Sequence, residues 1–235
     1  MLSESYTIPR LAACYDALNP PAPEWDFFLG LAGAAPKTIL EVGCGTGALA
    51  CQFARNGHCV TGADPAAAML DIARNRTDGE KTTWVLSDAA SLRLNDKFDL
   101  IFMTGHVFQL FLRDEDVLAV LRNLRAHLAP GGQIAFETRN PLRREWEEWT
   151  FDNDRHQITV PGLGAVDVCY DTVSVRGQLV TYNIHFQFKG EASIIVNDTL
   201  RFITQEELAA LLSQAGFKTV SWFGDWDRSP VSPQS

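Results

Sequence analysis

The sequence predicts an α/β protein whose main sheet is parallel and doubly wound, joined late in the chain by an antiparallel meander. Three observations carry this expectation. The stretch ILEVGCGTGALA at 39–50 sets three alternating glycines between an apolar strand and the start of a helix. Strand and helix patterns then alternate at βαβ spacing as far as Asn140. From there to Leu200 the alternation stops, and long runs of period two take over.

Ile39 to Val42 is aliphatic and rich in β-branching, as a buried strand requires, and Ala48, Leu49, Cys51, Phe53 and Ala54 open a helix. HCVTGAD at 58–64 reads as a second strand ending in an acid, and PAAAMLDIARN as a helix with Pro65 in its first turn. TTWVLSDAA at 82–90 and FDLIFMTG at 98–105 supply the third and fourth strands. DEDVLAVLRNLRAHLAPGG has acids in its first turn and a Pro-Gly-Gly stop, and QIAFETRN at 133–140 is the fifth strand. The segment LRREWEEWTFDND then leads into three strand-like runs. In the middle run Val180, Tyr182, Ile184, Phe186 and Phe188 face one way, and Thr181, Asn183, His185 and Gln187 the other. VRGQ and KGE punctuate the runs as hairpin turns. Thr204 and Glu207 form a capping box for a helix ending at Gly216, and FKTVSWF predicts one more strand. The expected organisation is a core at 1–140 and 200–235, with N-terminal helices over 8–34, and an inserted cap at 141–199.

A chain of 235 residues, 46% hydrophobic and 21% charged, can bury a sizeable core. The first residues, MLSESYTIPR, lack a signal-like apolar region, and no run of about 18 apolar residues occurs, so the expected location is the cytoplasm, away from membranes. Five scattered cysteines show no metal-ligand spacing, and no metal site is expected. A net charge of −9 argues against a nucleic-acid partner, whose phosphates require a basic footprint.

Gly43, Gly45 and Gly47 admit positive φ and leave room for a ligand against the backbone, where the following helix directs its free N–H groups. No lysine follows them, which excludes a triphosphate loop of the Walker type. A dinucleotide fingerprint fits Gly43, Gly45 and Ala48, so an NAD-dependent oxidoreductase stays open as an alternative. Asp64, 21 residues past Gly43 (64 − 43), can accept from a ribose diol or cap the next helix. Asp88 is open to a ligand role or to that of a simple turn acid.

With Glu41 two residues ahead of the glycines, EVGCGTG resembles the E-x-G-x-G-x-G motif of the class I S-adenosylmethionine (SAM)-dependent methyltransferases. Ser87-Asp88-Ala89 is similar to that family's adenine motif. The resemblance covers roughly 37–140 and resumes at 200–223. It implies a Rossmann-like sheet of order 3-2-1-4-5 continued by an antiparallel strand pair, with SAM as cofactor and S-adenosylhomocysteine as product. It also implies that Glu41, Gly43, Cys44, Gly45, Thr46 and Gly47 meet the cofactor's amino acid end. Asp64 and Pro65 would lie at the ribose, and Met69, Asp88 and Ala89 at the adenine. Thr104, Gly105 and His106 would border the methyl group. His106 is the best-placed base, Tyr15 a second catalytic candidate, and Arg139, Trp146 and Arg201 candidate walls for a small-molecule acceptor. A SAM-binding module without catalysis is the non-enzyme alternative. After FKTVSWF the tail GDWDRSPVSPQS is polar, so either the chain is truncated before a last core strand or a meander strand takes its place.

Overall fold

The structure, a computed structural model, describes residues 2–235. Short helices α1 (Glu4–Thr7), α2 (Pro9–Ala12) and α3 (Tyr15–Leu18) precede α4 (Pro23–Ala32), so helical structure already begins at Glu4. Five strands follow: β1 (Thr38–Val42), β2 (Cys59–Asp64), β3 (Thr82–Leu86), β4 (Phe98–Met103) and β5 (Leu128–Phe136). They form one parallel sheet of order β3-β2-β1-β4-β5, with helices α5 (Ala48–Arg55), α6 (Ala67–Asn75) and α7 (Asp114–Ala126) in the crossovers. Alternate residues of each strand serve opposite faces. Ile39, Val60, Leu100 and Phe102 pack against α4 and α5. Leu40, Val42, Ile101 and Met103 pack against α7 and α8 (Gln205–Gln214). Both faces are therefore covered, as a parallel sheet requires.

The insertion forms a second sheet of four antiparallel strands: β6 (Arg155–Val160), β7 (Gly164–Arg176), β8 (Leu179–Phe188) and β9 (Ile194–Arg201). The first of these escapes the sequence patterning because half of it, Arg155-His156-Gln157, is polar and exposed. Val180, Tyr182, Ile184, Phe186 and Phe188 are buried together, as the period-two pattern predicts, and pack with Trp146 and with Leu11 and Cys14 of the N-terminal segment. The opposite face is partly closed by its own bonds: His185 and Asn183 both bind Asp171, and Thr181 bonds Thr199.

Two expectations need correction. FKTVSWF forms no strand: residues 217–223 join no ladder, and no meander strand enters the parallel sheet. Trp222 packs into the core and Phe223 meets Phe27 edge to face, while the polar tail beyond offers no partner strand. A lone segment gains no cross-strand bonds. Helix α6 begins at Ala67 and leaves Pro65 outside, because Asp64 Oδ1 accepts the Ala66 N–H at 2.8 Å and holds Pro65-Ala66 in a turn. Asp64 thus closes an Asx turn ahead of the helix and is not its cap.

The capping box at Thr204 is present in full, with Thr204 and Glu207 bonding each other's backbone N–H. It starts α8 where the chain leaves β9 and returns to the parallel sheet.

Candidate functional site

The carboxyl ends of β1, β2, β4 and β5 converge on one mouth. Of the three glycines in the first turn, only Gly45 faces open space: a Cβ there would find no atom nearer than Tyr15 Cε1 at 3.8 Å. A Cβ on Gly47 would fall 2.3 Å from Trp84 Cη2, and one on Gly43 would fall 2.4 Å from Val107 Cγ2. The outer two glycines therefore make room for the protein's own side chains. Cys44 points behind the turn, towards Gly62, and its thiol is buried, which raises its pKa.

Asp64 is the pin of this turn. It is 7% exposed, and its Oδ2 accepts the Gly45 N–H at 2.8 Å while Oδ1 holds Ala66. Burial raises its pKa, and the two backbone N–H groups oppose that rise. Thr46 donates its hydroxyl to Asp16 Oδ1 at 2.6 Å, and Arg76 binds both Asp16 and the Thr46 carbonyl. The N-terminal segment is thereby fastened to the glycine turn. Its Tyr15 lies over Gly45 and reaches Gly105, where a Cβ would sit 3.0 Å from the tyrosine oxygen. Met69 is buried against Ala12, Ala66 and Tyr15, so the N-terminal segment covers it.

At the ends of β1 and β5 stand two acids, Glu41 buried and Glu137 half-buried. Glu41 is 2% exposed; burial pushes its pKa up to about 8, opposed by the Ala50 N–H and the Thr104 hydroxyl. Burial pushes Glu137 up to about 7, opposed chiefly by the His106 N–H, which donates to Oε1 at 2.6 Å. His106 follows Gly105 in the left-handed region, at φ 62°, and opens a short 3-10 turn at Val107–Leu110. Burial and the Arg139 cation lower its pKa, so the ring is neutral. Glu41 Oε2, His106 Nδ1, Glu137 Oε2 and Thr138 Oγ1 are shielded atoms with no hydrogen-bond partner in the protein. Shielded polar atoms are normally paired, and four at one sheet edge mark a place for a ligand.

The remaining expected residues lie around this centre. Asp88 is exposed at the end of β3, where Ser91 Oγ and the N–H groups of Ala90 and Ser91 donate to it and lower its pKa, the arrangement of a turn acid. Ala89 is buried behind it. Leu86, 58% exposed at the same strand end, offers an apolar surface beside it that the sequence reading missed. Arg139 binds Glu145 at 3.0 Å and Gln109 at 3.0 Å, and its guanidinium lies 5.4 Å from the Trp149 ring. Trp146 is buried against Phe202, and Arg201 ties β9 to Asp114 and Gln178, so both have packing partners of their own. Asp16, Glu137 and Thr138 were also missed. Glu137 carries the same signal as Glu41 and Asp64, an acid at the end of a buried strand, whereas nothing local marks Asp16.

A cleft of about 650 Å³ lies between α2, α3 and α6, lined by Pro9, Asp16, Ala68, Ile72 and Arg76 among others. Neither Glu41 nor Glu137 lines it. Three further partnerless atoms, Ser5 Oγ, Thr82 Oγ1 and Arg201 Nη1, are scattered over α1, β3 and β9, whereas Glu41, His106, Glu137 and Thr138 all stand at the ends of β1, β4 and β5.

The two raised acids set a pH dependence. A carboxyl with pKa near 8 when folded and about 4.3 in an open chain binds more protons in the native state between those values. The stability it contributes is present at low pH and is lost as pH rises towards 8. The melting temperature of the unliganded protein is therefore expected to fall from pH 5 to pH 8, and Glu41→Gln to flatten that fall. A wild-type melting temperature that rises over the interval would refute the assignment.

Parallel order 3-2-1-4-5, an acid-glycine turn after β1 and an acid closing β2 are the arrangement that the resemblance to class I methyltransferases implies. Comparison with known proteins agrees. Residues 39–132 match the family model described as methyltransferase domain. The cypemycin N-terminal methyltransferase of a Streptomyces species is 24% identical over 201 residues, covering 85% of this chain and 80% of that protein. The ubiquinone biosynthesis O-methyltransferase of Vibrio vulnificus (strain YJ016) is 34% identical over 123 residues, about half (49%) of each chain. Among solved structures, the CcbJ methyltransferase from Streptomyces caelestis superposes with a TM-score of 0.76 at 21% identity, covering 98% of this chain and 93% of that one. The chain thus carries a methyltransferase domain over residues 39–132, in a fold it shares with solved SAM-dependent methyltransferases.

Proposed function

We infer that the protein transfers the methyl group of SAM to a nucleophile on a small organic molecule seated between the mouth of the parallel sheet and the meander, leaving S-adenosylhomocysteine. The observation that carries this is the set of partnerless buried atoms on Glu41, His106, Glu137 and Thr138, at the ends of β1, β4 and β5, together with the open space at Gly45. When bound, the cofactor supplies an activated methyl group on a sulfonium, so the chain's own work is alignment and exclusion of water.

In this reading Glu41, the Gly43–Gly47 turn and Asp64 hold the cofactor's polar end. Met69, Leu86, Asp88 and Ala89 border its base, and Thr104 and Gly105 border the methyl group. Tyr15 closes the mouth. A neutral His106 is able to accept a proton but already lies beside Glu137, 3.6 Å from Nδ1 to Oε1. Residues 141–199 are assigned as the acceptor-side cap on a core of 1–140 and 200–235. Among the described residues no helix is long and apolar enough to cross a membrane, and all five cysteines are free. Both facts support the cytoplasm as the working location.

The relatives' names do not agree on the acceptor: one is named for an N-terminus and another for an oxygen. The nature of the acceptor has to be read from this chain's own residues. Titration calorimetry tests the cofactor: SAM and S-adenosylhomocysteine are expected to give saturable heats and NAD none. Binding of NAD without SAM would replace this function with the oxidoreductase alternative.

A further inference from the structure

The four tyrosines of the chain form two pairs, one on the N-terminal segment and one on the meander. Tyr6 and Tyr15 meet edge to face at 6.1 Å on the N-terminal segment. Tyr170 and Tyr182 lie 6.3 Å apart on the meander, with Trp149 at 5.1 Å from Tyr182. The two groups are joined by Ser3, just ahead of α1, which bonds Asp198 opposite Tyr182; burial first, then the proximity of Tyr182, Tyr15, Asp198 and Tyr170, raises the Tyr6 pKa. Tyr15 in turn is close enough to Glu41, Asp64 and Glu137 for their charges to raise its own pKa further.

The meander face is otherwise apolar, yet Tyr182 pairs in register with Asp198, so an acid stands beside it on the inner side. Asp198 accepts the Ser3 hydroxyl at 2.6 Å. Glu137 lies at the other end, with one oxygen on the His106 N–H and the other without a partner. The nearby cation, Arg139, is already bound by Glu145. The enclosure therefore has π faces for walls and an excess of carboxylates at its ends. This environment repels phenolates, thiolates and carboxylates, and it attracts an ammonium.

We propose that the acceptor is an aliphatic amine, that Glu137 is the carboxylate that receives it, and that Tyr6, Tyr15, Tyr170, Tyr182 and Trp149 form the walls of its seat. This rests on the methyl-transfer function. The amine arrives as an ammonium and gives one proton to Glu137. The nitrogen lone pair then forms the N–C bond while the electron pair of the breaking C–S bond stays on sulfur. The new ammonium leaves with its charge, and Glu137 returns to water the proton it took. An alcohol would need a far stronger base than a carboxylate. The groups facing Glu137 are His106 after β4, Arg139 on its own segment, Glu24 of α4 and Tyr15 of α3, and a carboxyl titrating near 7 among them suits proton transfer at neutral pH.

The test uses the protein saturated with S-adenosylhomocysteine, titrated with choline and with its neutral isostere 3,3-dimethylbutan-1-ol. Choline is expected to bind at least tenfold more tightly, and Glu137→Gln and Tyr182→Leu each to reduce that preference. Equal affinity for the two probes overturns the inference. In turnover with SAM, amines are expected to give N-methyl products and alcohols of the same skeleton none. Glu137→Gln is expected to lower kcat at least 100-fold and remove the rise in rate near pH 7, with affinity for S-adenosylhomocysteine within threefold of wild type. O-methylation of the alcohols, or loss of S-adenosylhomocysteine binding in Glu137→Gln, refutes the amine site and leaves methyl transfer standing. Failure of the wild type to bind SAM refutes methyl transfer itself.

Discussion

Gly47→Val is expected to lower stability by about 2–5 kcal/mol and to abolish measurable cofactor binding. Two costs combine. The residue holds φ at 73°, where a side chain with a Cβ is strained by about 1–2 kcal/mol. Its Cβ would also fall 2.3 Å from Trp84 Cη2 and 2.9 Å from Ala73 Cβ. The indole cannot retreat freely, because its Nε1 donates to the Gly79 carbonyl at 2.8 Å and its ring also covers Gly62. Overpacking of this kind adds about 1–3 kcal/mol. Thermal unfolding should show a fall of roughly 5–15 °C for a chain of this size. Gly57→Ala is the control: φ is 89° there, but nothing lies within 4 Å of the added Cβ, so only the strain remains. If the two variants melt together, the packing argument fails.

Asp64→Ala should weaken the fold and the cofactor site together. Removing the carboxylate leaves the N–H groups of Gly45 and Ala66 without their acceptor in a buried place, at about 1–3 kcal/mol each. The conformation of the central glycine is then no longer held from behind, and the acceptor for a ribose diol is gone as well. Affinity for SAM is expected to fall at least tenfold, beyond any loss due to unfolding, when measured by calorimetry at a temperature where the variant is folded. Asp64→Asn keeps one oxygen and is expected to lie between. Wild-type affinity in a destabilised Asp64→Ala would show that the residue acts only on the turn.

These two residues show what was readable beforehand and what was not. Both were recognised from spacing, Gly47 as part of the alternating turn and Asp64 as the acid closing the second strand. The sequence reading assigned the space around the glycines to a ligand, and at Gly47 that space is filled by Trp84, 37 residues further on (84 − 47). Asp64 was offered as a diol acceptor or a helix cap, and the fold uses it first to pin Gly45, 19 residues before it. The strand expected at FKTVSWF shows the same limit. Its composition suits a strand, but a strand exists only when a neighbour supplies its hydrogen bonds.

What the sequence determined by itself was everything set by short-range periodicity and covalent order. Short apolar runs define β1 to β5, period-two alternation defines the buried face of β8, Thr204-x-x-Glu207 starts α8, and the acids at strand ends follow from where each apolar run stops. Tertiary structure alone decided how the site is closed and what it can hold. Tyr6 and Tyr15 come from the N-terminal helices, Glu137 from the end of β5, and Tyr170, Tyr182 and Asp198 from the meander, so no window of neighbouring residues contains the seat. These groups meet only after the two sheets and the N-terminal segment have packed. Part of the closure comes from Arg10 bonding Glu191, Asp16 bonding Thr46 and Ser3 bonding Asp198. Period and propensity act over a few residues, whereas such contacts depend on where distant segments dock, and that is settled by burial of the shared core.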